Sequence, residues 1–183
     1  MFRFPTPDNT RLILIDMQQK LLFAMHDPGA VLNRGLVLVQ GLNALGVPAT
    51  VTEQYPKGLG ATVPELAGVL TADTPVLAKS SFSCFGADGF EETLDLARRP
   101  VLVLAGIEAH VCLQQTALDA LNRGFQVLIP FDAVSSRRAA EAENALDGLR
   151  ALGCGVFSVE AILFMLLRHA GHPAFKTVSK LVR

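Results

Sequence analysis

Six short apolar runs, separated by stretches with helical spacing, restrict this chain to a small set of architectures. The runs are RLILI at 11–15, PATVT at 48–52, PVLA at 75–78, VLVLA at 101–105, FQVLI at 125–129 and GVFSV at 155–159. Each is of strand length, and most are rich in valine or isoleucine. Continuous rather than alternating apolar character marks strands buried on both faces, as in a parallel sheet covered on both sides.

The intervening stretches read as helices. Leu32, Leu36, Val39, Leu42 and Leu45 recur near helical spacing, with Gly46 as a C-cap. Thr62-Val-Pro-Glu65 reads as a capping box opening a short helix. Further helices are expected over 89–97, 111–123, 137–151 and 160–168, the last ending before His172-Pro173. Strand alternating with helix predicts a right-handed, doubly wound α/β fold. With 183 residues, no internal repeat and no linker, one domain over 1–183 is expected.

Composition narrows the function classes. The net charge is -1 and the charges are mixed along the chain, leaving no electrostatic footprint for nucleic acid or an anionic membrane. MFRFPTPDNT lacks the apolar core of a signal peptide, and no apolar stretch reaches the roughly 20 residues of a membrane span. Cys84, Cys112 and Cys154 are odd in number and far apart, which fits a reducing compartment, with the cytoplasm expected. A small-molecule substrate is the remaining class of partner.

Polar residues gather where the apolar runs end. Asp16 follows the first, Glu53 the second, Lys79 the third, Glu108 and then Cys112 the fourth, and Asp132 the fifth. In open parallel sheets ligands bind at the carboxyl ends of strands, beside the point where strand order reverses. If that order is 3-2-1-4-5-6, Asp16 and Cys112 face each other across the crevice and Lys79 approaches from the third strand. Singly, each has a plain structural reading: a capping aspartate, a solvated lysine, a small buried cysteine. At matched strand ends they make a catalytic set. A helix N-terminus and a nearby lysine lower a thiol pKa, so Cys112 is expected to be an activated nucleophile. Asp16 can take the thiol proton and deliver it to a leaving group. Backbone N–H groups of the turn before the helix suit an oxyanion.

These motifs resemble the isochorismatase-like cysteine hydrolases. The matching pieces are LILIDMQ around Asp16, LAKSSFSCF around Lys79 and GIEAHVCLQQTALDAL around Cys112. EQYPKGLGATVPEL, DAVSSR and HPAFKTVSKLV match more narrowly the isochorismatase domain-containing proteins. The resemblance implies a three-layer α/β/α fold with a six-stranded parallel sheet in the order above. It implies an Asp16-Lys79-Cys112 triad and a homo-oligomer. It also implies a cis peptide at Ile107–Glu108, which turns the Glu108 N–H beside that of Cys112 to make the oxyanion hole. The nicotinamidase branch binds a metal through histidines after the second strand, where this chain has Glu53-Gln54-Tyr55-Pro56-Lys57, so neither metal nor cofactor is expected. True isochorismatases typically lack the cysteine, and its presence points to acyl chemistry on an amide or related carbonyl.

Around this set, Tyr55, Phe82, Phe85 and His110 are candidates for lining the substrate pocket, with core packing as the other reading for Phe82 and Phe85. Phe23 and Met25 are weaker candidates. Gly58 and Gly60 suit a movable lid. Arg137 and Arg138 belong to a carboxylate site, a helix start or a subunit contact, and Ser135 and Ser136 fit a helix cap. The leading expectation is a metal-independent cysteine hydrolase of small amides. The alternative is a catalytically idle oligomeric binding module of the same fold. A dinucleotide-binding reading fails, because Gly58-Leu-Gly60-Ala-Thr-Val63 lacks the third glycine and follows the wrong strand.

Overall fold

The computed structural model describes residues 2–183. The strands are β1 (Thr10–Ile15), β2 (Ala49–Gln54), β3 (Val76–Lys79), β4 (Val101–Ile107), β5 (Gln126–Pro130), β6 (Val134–Ser135) and β7 (Gly155–Phe157). All pair in parallel, in the order β3-β2-β1-β4-β5-β7. The two-residue β6 lies off this path against the end of β4, with Gly106 opposite Val134. The sheet therefore has seven strands, six of them in the expected order.

Side-chain alternation along the central strands explains the layers. Leu12 and Leu14 of β1, with Val101, Val103, Ala105 and Ile107 of β4, enter one buried cluster. Ile13 and Ile15, with Leu102 and Leu104, enter the other. A strand with apolar groups on both faces must be covered twice, and helices do so. The helices are α1 (Gln19–Leu22), α2 (Pro28–Ala44), α3 (Pro56–Leu59), α4 (Pro64–Ala67), α5 (Gln114–Asn122), α6 (Ala139–Ala151), α7 (Val159–Leu167) and α8 (Phe175–Leu181). Residues of α2, α7 and α8 join the first cluster, and residues of α5 and α6 the second. β3 departs from the pattern. It is an edge strand, and Val76 is 50% exposed.

Three local expectations are corrected. Over 89–97 only a 3₁₀ turn forms, at Glu91–Thr93. There the Thr93 hydroxyl donates to Phe90 O at 2.8 Å, a local bond that competes with a helical ladder. The Thr62–Glu65 capping box does not form: α4 starts after Val63 without a side-chain cap. Thr62 instead gives its N–H and hydroxyl to Glu53 Oε1, at 2.7 and 2.9 Å. Arg138 rather than a serine precedes α6, and it makes no side-chain cap. Ser135 donates to His26 O, and Ser136 meets His110.

The crevice opens where β1 and β4 end side by side, with Ile15 opposite Gly106. Gly106 has a φ of 120°, and any Cβ there would overlap the Ile15 backbone carbonyl. Both facts require glycine. Gly106→Ala is therefore expected to be severely destabilising, with loss of the folded protein or a drop in urea midpoint well beyond that of Gly124→Ala, a positive-φ site in open space. Equal midpoints for the two would refute the close approach.

Candidate active site

Asp16 directly follows β1 and has a left-handed φ of 53°. Its N–H still continues the ladder, donating to Thr52 O at 3.0 Å, while the chain beyond leaves the sheet. The carboxylate is thus fixed at the strand end, fully buried. Lys79, the last residue of β3, crosses over β2 to reach it, with Nζ 2.7 Å from Asp16 Oδ2. Both side chains are shut off from solvent.

Neither charge stands alone. The Lys79 ammonium also donates to Gln54 Oε1 at 2.6 Å and approaches the carbonyls of Ser81 at 3.2 Å and Phe82 at 3.1 Å. Asp16 Oδ1 accepts from the Thr52 hydroxyl at 2.9 Å. Burying an ion pair is tolerated when further hydrogen bonds occupy its remaining donors and acceptors, as they do here.

Cys112 lies within a π turn, Ala109–Leu113, that runs directly into α5. Such turns occur mostly as single insertions at functional sites. Leu113 N–H closes the wide loop onto Glu108 O at 3.2 Å, one residue beyond Cys112. The preceding peptide bond, Ile107–Glu108, is cis. Among the described residues no backbone acceptor takes the Glu108 N–H.

Cys112 is 7% exposed, and its thiol feels the charges of both Asp16 and Lys79. Burial pushes it up to about 12, and Asp16 pushes the same way against Lys79. This corrects the expectation of an activated thiolate: desolvation outweighs the lysine, and the resting group is a neutral thiol. A second thiol, Cys84, lies against the same network, 3.6 Å from the Thr52 hydroxyl, and burial pushes it up to about 11. The Thr116 hydroxyl joins the two segments, accepting from Cys84 N–H at 3.0 Å and donating to Cys112 O at 2.7 Å.

The remaining candidates separate. Tyr55 and Phe82 stand exposed, each joined through its backbone to Lys79. Phe85 packs edge-on against Phe90, 5.1 Å between ring centres, beneath the Arg123 guanidinium. That is the packing alternative. His110, two residues from Cys112 on the turn, points elsewhere: its Nδ1 lies 2.9 Å from Ser136 Oγ. It lines a cavity of about 180 Å³ with Arg137, Arg138 and Glu141, and neither Asp16, Lys79 nor Cys112 borders that space. The Glu108 carboxylate holds Arg137 at 2.9 Å. Phe23 is exposed and Met25 is buried in the core. The segment with Gly58 and Gly60 is tied down by Lys20 and Gln18, which donate to their carbonyls. Sequence reasoning missed Thr52, Gln54, Cys84 and Thr116. Thr52 and Gln54 immediately flank Glu53, the strand-end residue it did select.

An isochorismatase domain family model matches residues 10–161. The chain belongs to the isochorismatase family. Isochorismatase domain-containing protein 1 of Salmo salar is 38% identical over 177 residues, 97% of this chain and 62% of its own length. The chain thus spans less than two thirds of that relative. Among solved structures, the MAR1 ribonuclease from Caenorhabditis elegans matches with a TM-score of 0.93 at 36% identity, over 98% of this chain and 92% of that one. The Escherichia coli YcaC product, described as an octameric hydrolase of unknown specificity, shares the isochorismatase fold with a TM-score of 0.91 at 22% identity, over 99% and 90% of the two chains.

Removing one member of a buried pair strands the other. Asp16→Ala and Lys79→Ala are each expected to lower the unfolding free energy by about 3–5 kcal/mol. The Asp16→Ala/Lys79→Ala double variant should cost clearly less than their sum in urea denaturation. Strict additivity would show that the pair is not coupled.

Proposed function

We propose that this member of the isochorismatase family is a metal-independent cysteine hydrolase that cleaves a small amide or related C–N bond through a thioester on Cys112. The observation that carries the reading is the buried Asp16–Lys79 pair, 2.7 Å apart at the carboxyl ends of the strands, together with the buried Cys112 on the turn that follows β4. A carboxylate bonded to a lysine and a threonine, with a thiol whose proton burial retains on the neighbouring turn, supplies a proton acceptor and a proton donor.

The steps follow from that placement. As Cys112 Sγ attacks the carbonyl carbon, its proton passes to Asp16. The oxyanion is received by the N–H groups of Glu108 and Cys112. The C–N bond then breaks while Asp16 returns the proton to the departing amine, leaving an acyl thioester. Asp16 next takes a proton from water as its oxygen attacks the thioester. The C–S bond breaks, Asp16 reprotonates the sulfur, and the carboxylic acid leaves. Lys79 keeps its bond to Asp16 throughout and so holds the carboxylate in place. The residues that end β2 support a reading without metal: Glu53 is bonded to Thr62, and Gln54 to Lys79 and Ser80.

The octameric state described for YcaC supports a homo-oligomer here as well. A monomer in sedimentation velocity at micromolar concentration would remove that part of the reading. Among the described residues no helix is long and apolar enough to cross a membrane.

Mass spectrometry of the protein incubated with a panel of small amides is expected to trap an acyl adduct on Cys112. Cys112→Ala should abolish turnover and leave the fold unchanged by circular dichroism. Absence of any adduct across the panel would favour the idle binding module. Because the neighbour from C. elegans is described as a ribonuclease, labelled RNA belongs in the same assay, and RNA cleavage surviving in Cys112→Ala would overturn the assignment. Without substrate, a thiol pushed up to about 12 is almost wholly protonated at pH 8. Its alkylation by iodoacetamide should therefore be slow there and rise about tenfold per pH unit up to pH 11, with no plateau near pH 9. A plateau below pH 8 would show an activated thiolate instead.

A further inference from the structure

The ion pair between Asp16 and Lys79 closes a circuit of hydrogen bonds that also runs through two glutamines. Asp16 O accepts from Gln18 N–H at 2.7 Å. The fully buried Gln18 carboxamide then pairs with both backbone groups of Gln54. Gln54 N–H donates to Gln18 Oε1 at 2.7 Å, and Gln18 Nε2 donates to Gln54 O at 3.0 Å. β1 has ended by this point, so a side-chain amide takes the place of a further strand residue beside the last residue of β2. The Gln54 side chain carries the circuit on. Its Oε1 accepts from Lys79 Nζ at 2.6 Å, and Nζ reaches Asp16 Oδ2 at 2.7 Å.

The orientation of the Gln54 carboxamide is fixed by its partners. Its Nε2 donates to Ser80 O at 3.0 Å. Turned over, the group would set an NH2 against an ammonium and an oxygen against a carbonyl oxygen. Oε1 is therefore committed to Lys79. The neutrality of the group matters as much as its aim. Lys79 gains an acceptor without gaining a second carboxylate, and among the described residues Asp16 is the one acid paired with it. A carboxylate at residue 54 would compete for the ammonium and make Asp16 hold a proton more tightly. A side chain with no acceptor would leave the flexible four-carbon stem of the lysine less firmly aimed.

Resting on the amide-hydrolase reading, we propose that Gln54 is a positioning residue: its neutral carboxamide, aligned by Gln18, aims the Lys79 ammonium at Asp16 and leaves Asp16 the only carboxylate on it. Gln54 acts through Lys79 and takes no part in proton transfer.

Two substitutions of similar length separate aim from packing, each read in protein whose circular dichroism matches wild type. With an amide that acylates Cys112 in wild-type protein, Gln54→Met is expected to lower kcat about tenfold or more while KM stays within about twofold. Gln54→Glu restores the acceptor. It should recover most of that loss at high pH, with the acid limb of kcat/KM displaced upward by about one pH unit or more. The displacement is upward because an added negative charge raises the pH at which Asp16 loses its proton. Wild-type kcat in Gln54→Met, or an unmoved acid limb in Gln54→Glu, would overturn the positioning role. If wild-type protein acylates with no amide, the hydrolase reading fails by itself, and Gln54 is read instead by iodoacetamide alkylation at pH 10, scored on Cys112 by peptide mass spectrometry. Gln54→Glu should then react about threefold more slowly than wild type, or slower still, because the thiolate forms beside an added negative charge. Equal rates would show that residue 54 has no hold on the ion pair and would overturn the positioning role as well.

Discussion

The ion pair between Asp16 and Lys79 is the constraint on which this architecture turns. Two opposite charges shut away from water are tolerable only with near-complete hydrogen bonding, and that demand recruits Thr52 and Gln54 from β2 and two carbonyls from the loop after β3. The pair therefore ties together the ends of three neighbouring strands. It also bears on the state of Cys112, the nucleophile we propose. The negative charge of Asp16 joins burial in keeping the proton on the Cys112 sulfur, so the proposed chemistry begins with proton transfer within the complex and not from a standing thiolate.

The sheet makes that arrangement possible. Because β1 and β4 carry apolar side chains on both faces, they are held from above and below, and their ends form a rigid floor. Gly106 allows the backbone of β4 to close against Ile15, and the chain then turns through the π turn that presents Cys112. Rigidity at this point matters because general acid–base chemistry depends on donor and acceptor staying within hydrogen-bond reach.

What was legible in the sequence was whatever depended on pattern. Continuous apolar runs marked the buried strands, and the polar residues ending them marked the crevice. Asp16, Lys79 and Cys112 were visible in that way, and so were Glu53 and Asp132, which turn out to hold the scaffold. Glu53 secures Thr62, and Asp132 accepts from Arg34 and from the backbone of Val159. Nothing in a one-dimensional pattern distinguishes a strand-end carboxylate aimed at a lysine from one aimed at a backbone N–H. The same limit hid Thr52 and Gln54, polar residues within an apolar strand whose roles appear only once β3 is placed alongside. The lowered thiol pKa expected for Cys112 failed for a related reason. Proximity to a lysine and a helix start can be read from order along the chain, but the depth of burial that outweighs them cannot.

Thr116 carries a further consequence. Its single hydroxyl accepts from the backbone at Cys84 and donates to the carbonyl of Cys112. The segment following Lys79 and the turn bearing Cys112 are thereby registered to each other by one oxygen atom. A side chain of similar shape but no hydroxyl would preserve the packing of α5 and let these two segments slip independently. The placement of the Cys112 thiol is in this sense a tolerance set by a buried hydroxyl on α5, one turn along the chain from the thiol itself.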